Sequence, residues 1–267
     1  MVVQIYSLSF LLLFSLTCTA VPLYSEQKIV YMTIPKGGSQ LIRKAIGMIT
    51  ARPFRRLPQP EIFQENELPY LDPLDPTIVF HHLEAGYEVI RCATSGRYCK
   101  IVMIRDPRDV IVSMAEWIHA VGHTALAKLF MGLPVEKQIA ELIECPNLKM
   151  NGILPFVFDT KAGIQEALLW MNDPSVHICR FEDLVGPLGG GSKERQLEAV
   201  HSLAQHMGYD LPQQEIEEIS ENLFGGTMTF RQGMIGEWRK VFTPEHVELF
   251  KNTMGCELVS LGYEWDD

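Results

Sequence analysis

The stretch "KIVYMTIPKGGSQLIRKAIGMIT", residues 28–50, constrains the fold more than any other part of the chain. After Lys28 it opens with a continuous run of β-branched and large apolar residues, as in a strand buried on both faces, and residues 41–50 carry apolar side chains at helical spacing. Between them Gly37 and Gly38 permit a tight turn, so the pattern predicts strand, glycine loop and helix in immediate succession. Such a unit aims the first backbone N–H groups of a helix, and the positive end of its dipole, at one point. An anion belongs there. Lys36 adds a charge, but it precedes both glycines, whereas the triphosphate-binding loop G-x-x-x-x-G-K-[ST] carries its lysine after them.

The rest of the chain repeats the alternation. "TIVFHH" (77–82) and "KIVMIRD" (100–106) read as further buried strands, and "PRDVIVSMAEWIHAVG" (107–122) reads as a helix with Pro107 at its start. Helices are expected over 134–144 and 161–171, and a strand over "VHICRFEDL" (176–184). An amphipathic helix over 193–208 stops at Gly208, and a last helix is entered at Thr243 and Pro244. Strands alternating with helices imply an α/β domain with a mostly parallel sheet. At 267 residues and 47% hydrophobic content the chain can bury one core, and we expect a single domain over residues 28–267. The short glycine-rich stretch "GPLGGGSKE" reads as a loop.

A formal net charge of -10 excludes a general nucleic-acid binder, which needs clustered Lys and Arg, so any bound anion sits in a local basic pocket. The six cysteines are scattered without metal-ligand spacing, and Cys179 lies in an apolar run where a buried thiol is expected. His119 and His123 share a helix face but lack a third ligand, and no metal site is expected. Residues 1–20 contain the apolar run "IYSLSFLLLFSLTCTA", of signal-peptide length and ending in small residues that permit cleavage after Ala20, with no Lys or Arg before it. The run is short of the roughly 20 apolar residues of a membrane span. A signal peptide or membrane anchor is the expectation, an additional core element its alternative.

The segments now collected resemble the sulfotransferase family that uses 3′-phosphoadenosine 5′-phosphosulfate (PAPS). The family's first motif, of the type T-Y-P-K-S-G-T-T-W, is similar to "TIPKGGSQL". Its 3′-phosphate motif, R-[ND]-P-[RK]-D-x-x-x-S, is similar to "RDPRDVIVS", and its late motif, R-K-G-x-x-G-x-W-[KR], to "RQGMIGEWR". The three occur in family order between Lys28 and the C-terminus, with "RFEDL" as a further close stretch. The resemblance implies a three-layer α/β/α fold of the P-loop nucleotide-hydrolase type and two separate anion pockets. Lys36, Gly37, Gly38, Ser39 and Gln40 would surround the 5′-phosphosulfate, and Arg105, Ser113, Arg231, Gln232 and Gly233 the 3′-phosphate. The chain departs from the pattern at Gly37 (usually Ser), Gln40 (usually Thr), Leu41 (usually a Trp near the adenine) and Gln232, which removes a cation.

The implied activity is in-line transfer of the sulfuryl group from PAPS, as cosubstrate, to a hydroxyl or amine, with no metal. Lys36 would stabilise the leaving group and His82 of "FHHL" would take the acceptor's proton, while His81, one residue away on a strand, faces the other side. The acceptor is a small molecule, a carbohydrate or a protein; residues 120–172, where specificity elements would lie, carry no motif that separates these. Trp117, Phe156 and Trp170 read as core or acceptor-pocket residues. The expected location is cytoplasmic or membrane-associated, or the Golgi lumen in a eukaryote. Two other readings stand beside this one. One is a non-catalytic nucleotide-binding protein that retains the cradle for the product nucleotide PAP (3′-phosphoadenosine 5′-phosphate). The other is a P-loop kinase using ATP, disfavoured by the lysine order and by the Arg105–Ser113 pair.

Overall fold

The structure, a computed structural model, describes residues 28–56, 77–82, 98–120, 128, 130–144, 160–227 and 231–265. The signal or anchor segment expected at residues 1–20 lies outside them. Among the described residues no helix is long and apolar enough to cross a membrane. The elements, numbered in chain order, are β1 (Lys28–Thr33), α1 (Ser39–Thr50), β2 (Phe54–Arg56), β3 (Ile78–His82), β4 (Tyr98–Ile104), α2 (Pro107–Ala120), α3 (Val135–Glu144) and α4 (Thr160–Met171). They continue with β5 (Val176–Arg180), α5 (Phe181–Leu184), α6 (Lys193–His206), α7 (Gln213–Asn222), α8 (Trp238–Val241) and α9 (Pro244–Ser260).

The five strands form one sheet in the order β2-β3-β1-β4-β5, with every neighbouring pair parallel. The period of two along each strand explains the layers. Val30 and Met32 of β1 and Val102 and Ile104 of β4 face one cluster, shared with α2, α3, α4 and α9; Ile29, Tyr31, Ile101 and Met103 face the other, shared with α1, α6 and α7. This is a three-layer α/β/α fold of the P-loop type, as expected. The helix that follows β1 lies on one face and the helix that follows β4 lies on the opposite face, although the two strands are neighbours. A crevice therefore opens outside their carboxyl ends, the usual ligand position in such sheets.

Most elements match the sequence-based expectations to within two residues, but the stretch 176–184 does not stay extended. β5 ends at Arg180, opposite Ile104, where β4 also ends. Beyond that point the backbone has no strand partner among the described residues, and Phe181–Leu184 closes a helical turn with the Val185 N–H donating to the Phe181 carbonyl at 2.9 Å. Edge strand β2 and helix α7 are additions. α7 carries mostly acidic and amide residues, and it is fixed by Ile216 and Ile219, which reach the second cluster. Trp170 is a core residue, fully buried and donating to Glu166 at 3.1 Å; Cys179 is buried as well.

At the amino end of β4 the buried Lys100 pairs with Asp173, a third exposed at 35%, which also accepts from Ser175. Hydrogen bonds from Lys100 and Ser175 hold the Asp173 carboxyl down at about 2. Removing the anion strands a buried ammonium, whereas removing the ammonium leaves an aspartate that water still reaches. Asp173→Asn is therefore expected to lower stability by about 2–3 kcal/mol, less than a fully buried pair would lose, and Lys100→Met by less than about 1 kcal/mol. Urea unfolding of the two variants checks the asymmetry; equal losses would refute it.

Candidate functional site

The loop after β1 is set by backbone crowding. The Gly37 N–H donates to the Ile34 carbonyl at 2.8 Å, and a Cβ on Gly37 would stand 2.8 Å from the same oxygen, which accounts for glycine where the related motif carries Ser. Gly38 precedes α1 at φ 104°, and a Cβ there would meet Met103 Cε at 2.8 Å and the Phe181 ring at 2.9 Å. Lys36 itself adopts φ 63°, a left-handed conformation that strains a non-glycine residue. The first turn of α1 holds no acidic residue, so its unpaired N–H groups keep their attraction for an anion.

A cavity of about 300 Å³ opens at this crevice. Lys36, Gly38, Ser39, Gln40, His82, Arg105, Ser113, Arg231, Gln232 and Gly233 all line it. Gly37 is not among its lining residues and acts in the turn instead. Residues from the ends of three neighbouring strands, from two helices and from the late "RQG" segment thus meet in one place.

Arg105 is the hinge of the arrangement. The residue is only 7% exposed, and its guanidinium lies 4.1 Å from the centroid of the Phe181 ring. Nη2 donates to the Met234 carbonyl at 2.9 Å and Nη1 to the Lys36 carbonyl at 3.4 Å, while Asp109 Oδ2 stands 3.8 Å away. Among the described residues the buried Nε has no hydrogen-bond partner. Arg105 thereby ties the Lys36 loop to the strap formed by residues 231–238. Asp109 holds the far end of that strap, accepting from the N–H groups of Gly236 at 2.8 Å and Trp238 at 3.0 Å. Burial raises the Asp109 carboxyl above the usual range, opposed by Arg105 and by those two N–H donors. Arg231 begins the strap and donates to the Glu116 main-chain carbonyl at 2.5 Å, with the Glu116 carboxylate at 3.5 Å.

His82 ends β3 directly opposite Thr33, and the Thr33 hydroxyl lies 3.0 Å from its Nδ1. The side chain of His81 and all of Phe156 lie outside the described residues. His119 is exposed and bonds Gln138 at 2.6 Å, and His123 lies outside the described residues. Among the described residues no group of three His, Cys, Asp or Glu could hold a metal. Sequence reasoning missed Thr33, Asp109 and Glu116 as site residues, and it missed the apolar wall of Phe181, Val185, Leu223 and Phe224. Asp109 alone had a visible signal, since it is the last Asp of "RDPRD".

No protein-family model matches the chain, and no curated protein sequence matches it. Among solved structures it is similar to mouse sulfotransferase SULT7A1 complexed with PAP, with a TM-score of 0.61, 18% identity, and coverage of 89% of this chain and 88% of that one. The similarity is one of fold.

The electrostatics of Lys36 generate a prediction. Its ammonium stands 5.7 Å from the centroid of the Trp117 ring, and burial, followed by repulsion from Arg231 and Arg105, lowers its pKa to about 8, against an upward pull from Glu116. A group with its pKa lowered this far is charged below pH 8 and neutral above it. Affinity for PAP or inorganic pyrophosphate should thus fall between pH 7 and pH 9.5, by up to about tenfold per unit above the midpoint, as a single proton is lost. Glu116→Gln should move the midpoint lower, and Lys36→Gln should flatten the profile; calorimetric titration across that range decides, and a flat wild-type profile would refute the assignment.

Proposed function

We propose that the chain is a sulfotransferase that moves the sulfuryl group of PAPS to a hydroxyl or amine acceptor, and that residues 28–267 form its catalytic domain. The observation that carries this reading is the convergence of Lys36, Arg105 and Arg231 on one cavity outside the carboxyl ends of β1 and β4, with His82 at its edge. Arg231 and Arg105 stand close enough to add to burial in lowering the Lys36 pKa, and such a cluster calls for a polyanion. Their distribution suits two anionic ends rather than one triphosphate track. The α1 start with Lys36, Ser39 and Gln40 suits the 5′ group, and Arg105, Ser113 and residues 231–233 suit a 3′-phosphate. Leu223 and Phe224 supply an apolar wall for a purine, which compensates for Leu41 in place of an aromatic residue.

The chemistry follows from these positions. In the tautomer whose Nδ1 donates to the Thr33 hydroxyl, 3.0 Å away, His82 presents Nε2 as proton acceptor. The acceptor's oxygen or nitrogen forms a bond to sulfur as the bond from sulfur to the bridging oxygen of the nucleotide breaks. The acceptor's proton passes to His82, and Lys36 with the α1 N–H groups meets the charge that grows on the departing phosphate. The contribution of Lys36 is greatest when it is protonated, below about pH 8.

Ligand-dependent melting tests the nucleotide assignment. PAP at about a hundred times its Kd should stabilise the protein by about 2.7 kcal/mol, roughly 5–10 °C in a domain of this size, and ADP by much less. A chain beginning at Tyr24 should respond equally if residues 28–267 carry the site. Equal shifts with PAP and ADP would refute the 3′-phosphate pocket.

Turnover is tested separately. His82→Ala should keep PAP affinity within about twofold and reduce transfer to any acceptor turned over by the wild type by about two to four powers of ten. Retained turnover removes His82 from the chemistry, and PAP binding without turnover across phenols, sterols, saccharides and tyrosine peptides favours a non-catalytic nucleotide-binding protein.

A further inference from the structure

The glycine-rich loop between α5 and α6 has no part in the chemistry above, yet it lies directly under the strap that carries Arg231 and Gly233. The Gly189 carbonyl accepts the Ile235 N–H at 3.0 Å. Gly189 is buried, and a Cβ built on it would stand 2.7 Å from the Gly233 carbonyl oxygen and 2.3 Å from Val185 Cγ2. Gly190, by contrast, adopts φ 87°, but a Cβ there would meet only ordinary contacts, Met234 Cε at 3.9 Å and Ile235 Cβ at 4.0 Å. At Gly189, backbone therefore rests on backbone with no side chain between. The opposite side of the strap is held by Arg105 at Met234 and by Asp109 at Gly236 and Trp238. The strap is gripped between the loop and α2, and the thickness of the loop decides how far Gly233 and Arg231 stand from Arg105.

We propose that Gly189 is a positioning residue for the 3′ end of the nucleotide: its missing side chain seats the strap close to Arg105, and this closeness provides discrimination between nucleotides with and without a 3′-phosphate. The inference rests on the sulfotransferase reading of the site. Its physical basis is steric. A new methyl group would press on both methyls of buried Val185 and on the Gly233 carbonyl, and that carbonyl belongs to the strap backbone, which must shift by about half an ångström or more to reach ordinary contact distance. Displacements of that size are enough to spoil a preorganised anion site. Gly189 is not in the left-handed region, so alanine is compatible with its backbone and the substitution acts through the contact.

The test compares PAP and ADP affinities of the full chain with those of Gly189→Ala and Gly190→Ala by calorimetry, together with hydrogen exchange at the Ile235 N–H. Gly189→Ala should weaken PAP about tenfold or more, leave ADP within about twofold, and speed exchange at Ile235. Gly190→Ala disturbs the same loop through its backbone and should lower melting temperature while keeping the PAP-to-ADP ratio. A Gly189→Ala protein that loses both nucleotides equally, or neither, overturns the proposal, as does a Gly190→Ala protein whose ratio falls equally. If Gly189→Ala does not fold, exchange at Ile235 in the wild type serves instead: slowing by PAP but not by ADP supports the proposal, and equal slowing overturns it. Failure of the sulfotransferase reading is a different result, a wild-type protein with no preference for PAP over ADP.

Discussion

The parallel pairing of β1 with β4 is the constraint on which the rest depends. Its register sets Thr33 beside Met103, so both strands end at the same level, and the chain leaves them towards opposite faces of the sheet. One exit becomes the Lys36 loop and α1, and the other becomes Arg105 and α2. Because neither helix covers the gap, the positive start of α1 and the Arg105 guanidinium face the same crevice. β3 pairs on the other side of β1 and brings His82 to that level as well.

Electrostatics make this crevice unlike the rest of the molecule. A chain with a formal net charge of -10 gathers Lys36, Arg105 and Arg231 around one cavity. The cluster is held together by carbonyl oxygens and two carboxylates: Arg105 binds Lys36 and Met234 main chain beside Asp109, and Arg231 binds Glu116. Burial first, then repulsion from Arg231 and Arg105, lowers the Lys36 pKa, and Glu116 opposes them. Lys36 sits among these charges in a strained left-handed backbone conformation.

Support for the cluster extends to the C-terminus. Half-buried Glu182 accepts from the Asp106 N–H, next to Arg105, and from the Tyr263 hydroxyl, both at 2.9 Å. Burial pushes the Glu182 carboxyl up, opposed first by the Asp106 N–H. Arg180 donates to the Leu261 carbonyl at 2.7 Å and lies over the Tyr263 ring, and Arg108 is bound to Asp106 at 2.7 Å with its guanidinium 4.0 Å from the Trp238 ring centroid. The "RFEDL" segment therefore acts as a bracket between the end of β4 and the last turn of the chain, which explains why it bends out of the sheet after Arg180.

The sequence by itself determined the local units: a buried strand, a glycine loop and a helix over residues 28–50, the alternation that makes a parallel α/β sheet, and the residue types of the segments that line the cavity. These are legible because burial on both faces, helical spacing and glycine turns leave their marks within ten or so neighbouring residues. Tertiary structure alone decided the partners. Thr33 meets His82 across 49 positions through strand register, Arg231 meets Glu116 across 115, and the Gly189 backbone rests on that of Gly233. It also decided that Arg105 spends its donors on two loop carbonyls, joining the loops as well as facing the cavity. Register and loop-on-loop contact depend on how the helices pack on the sheet as a whole, and no local pattern of residues carries that information.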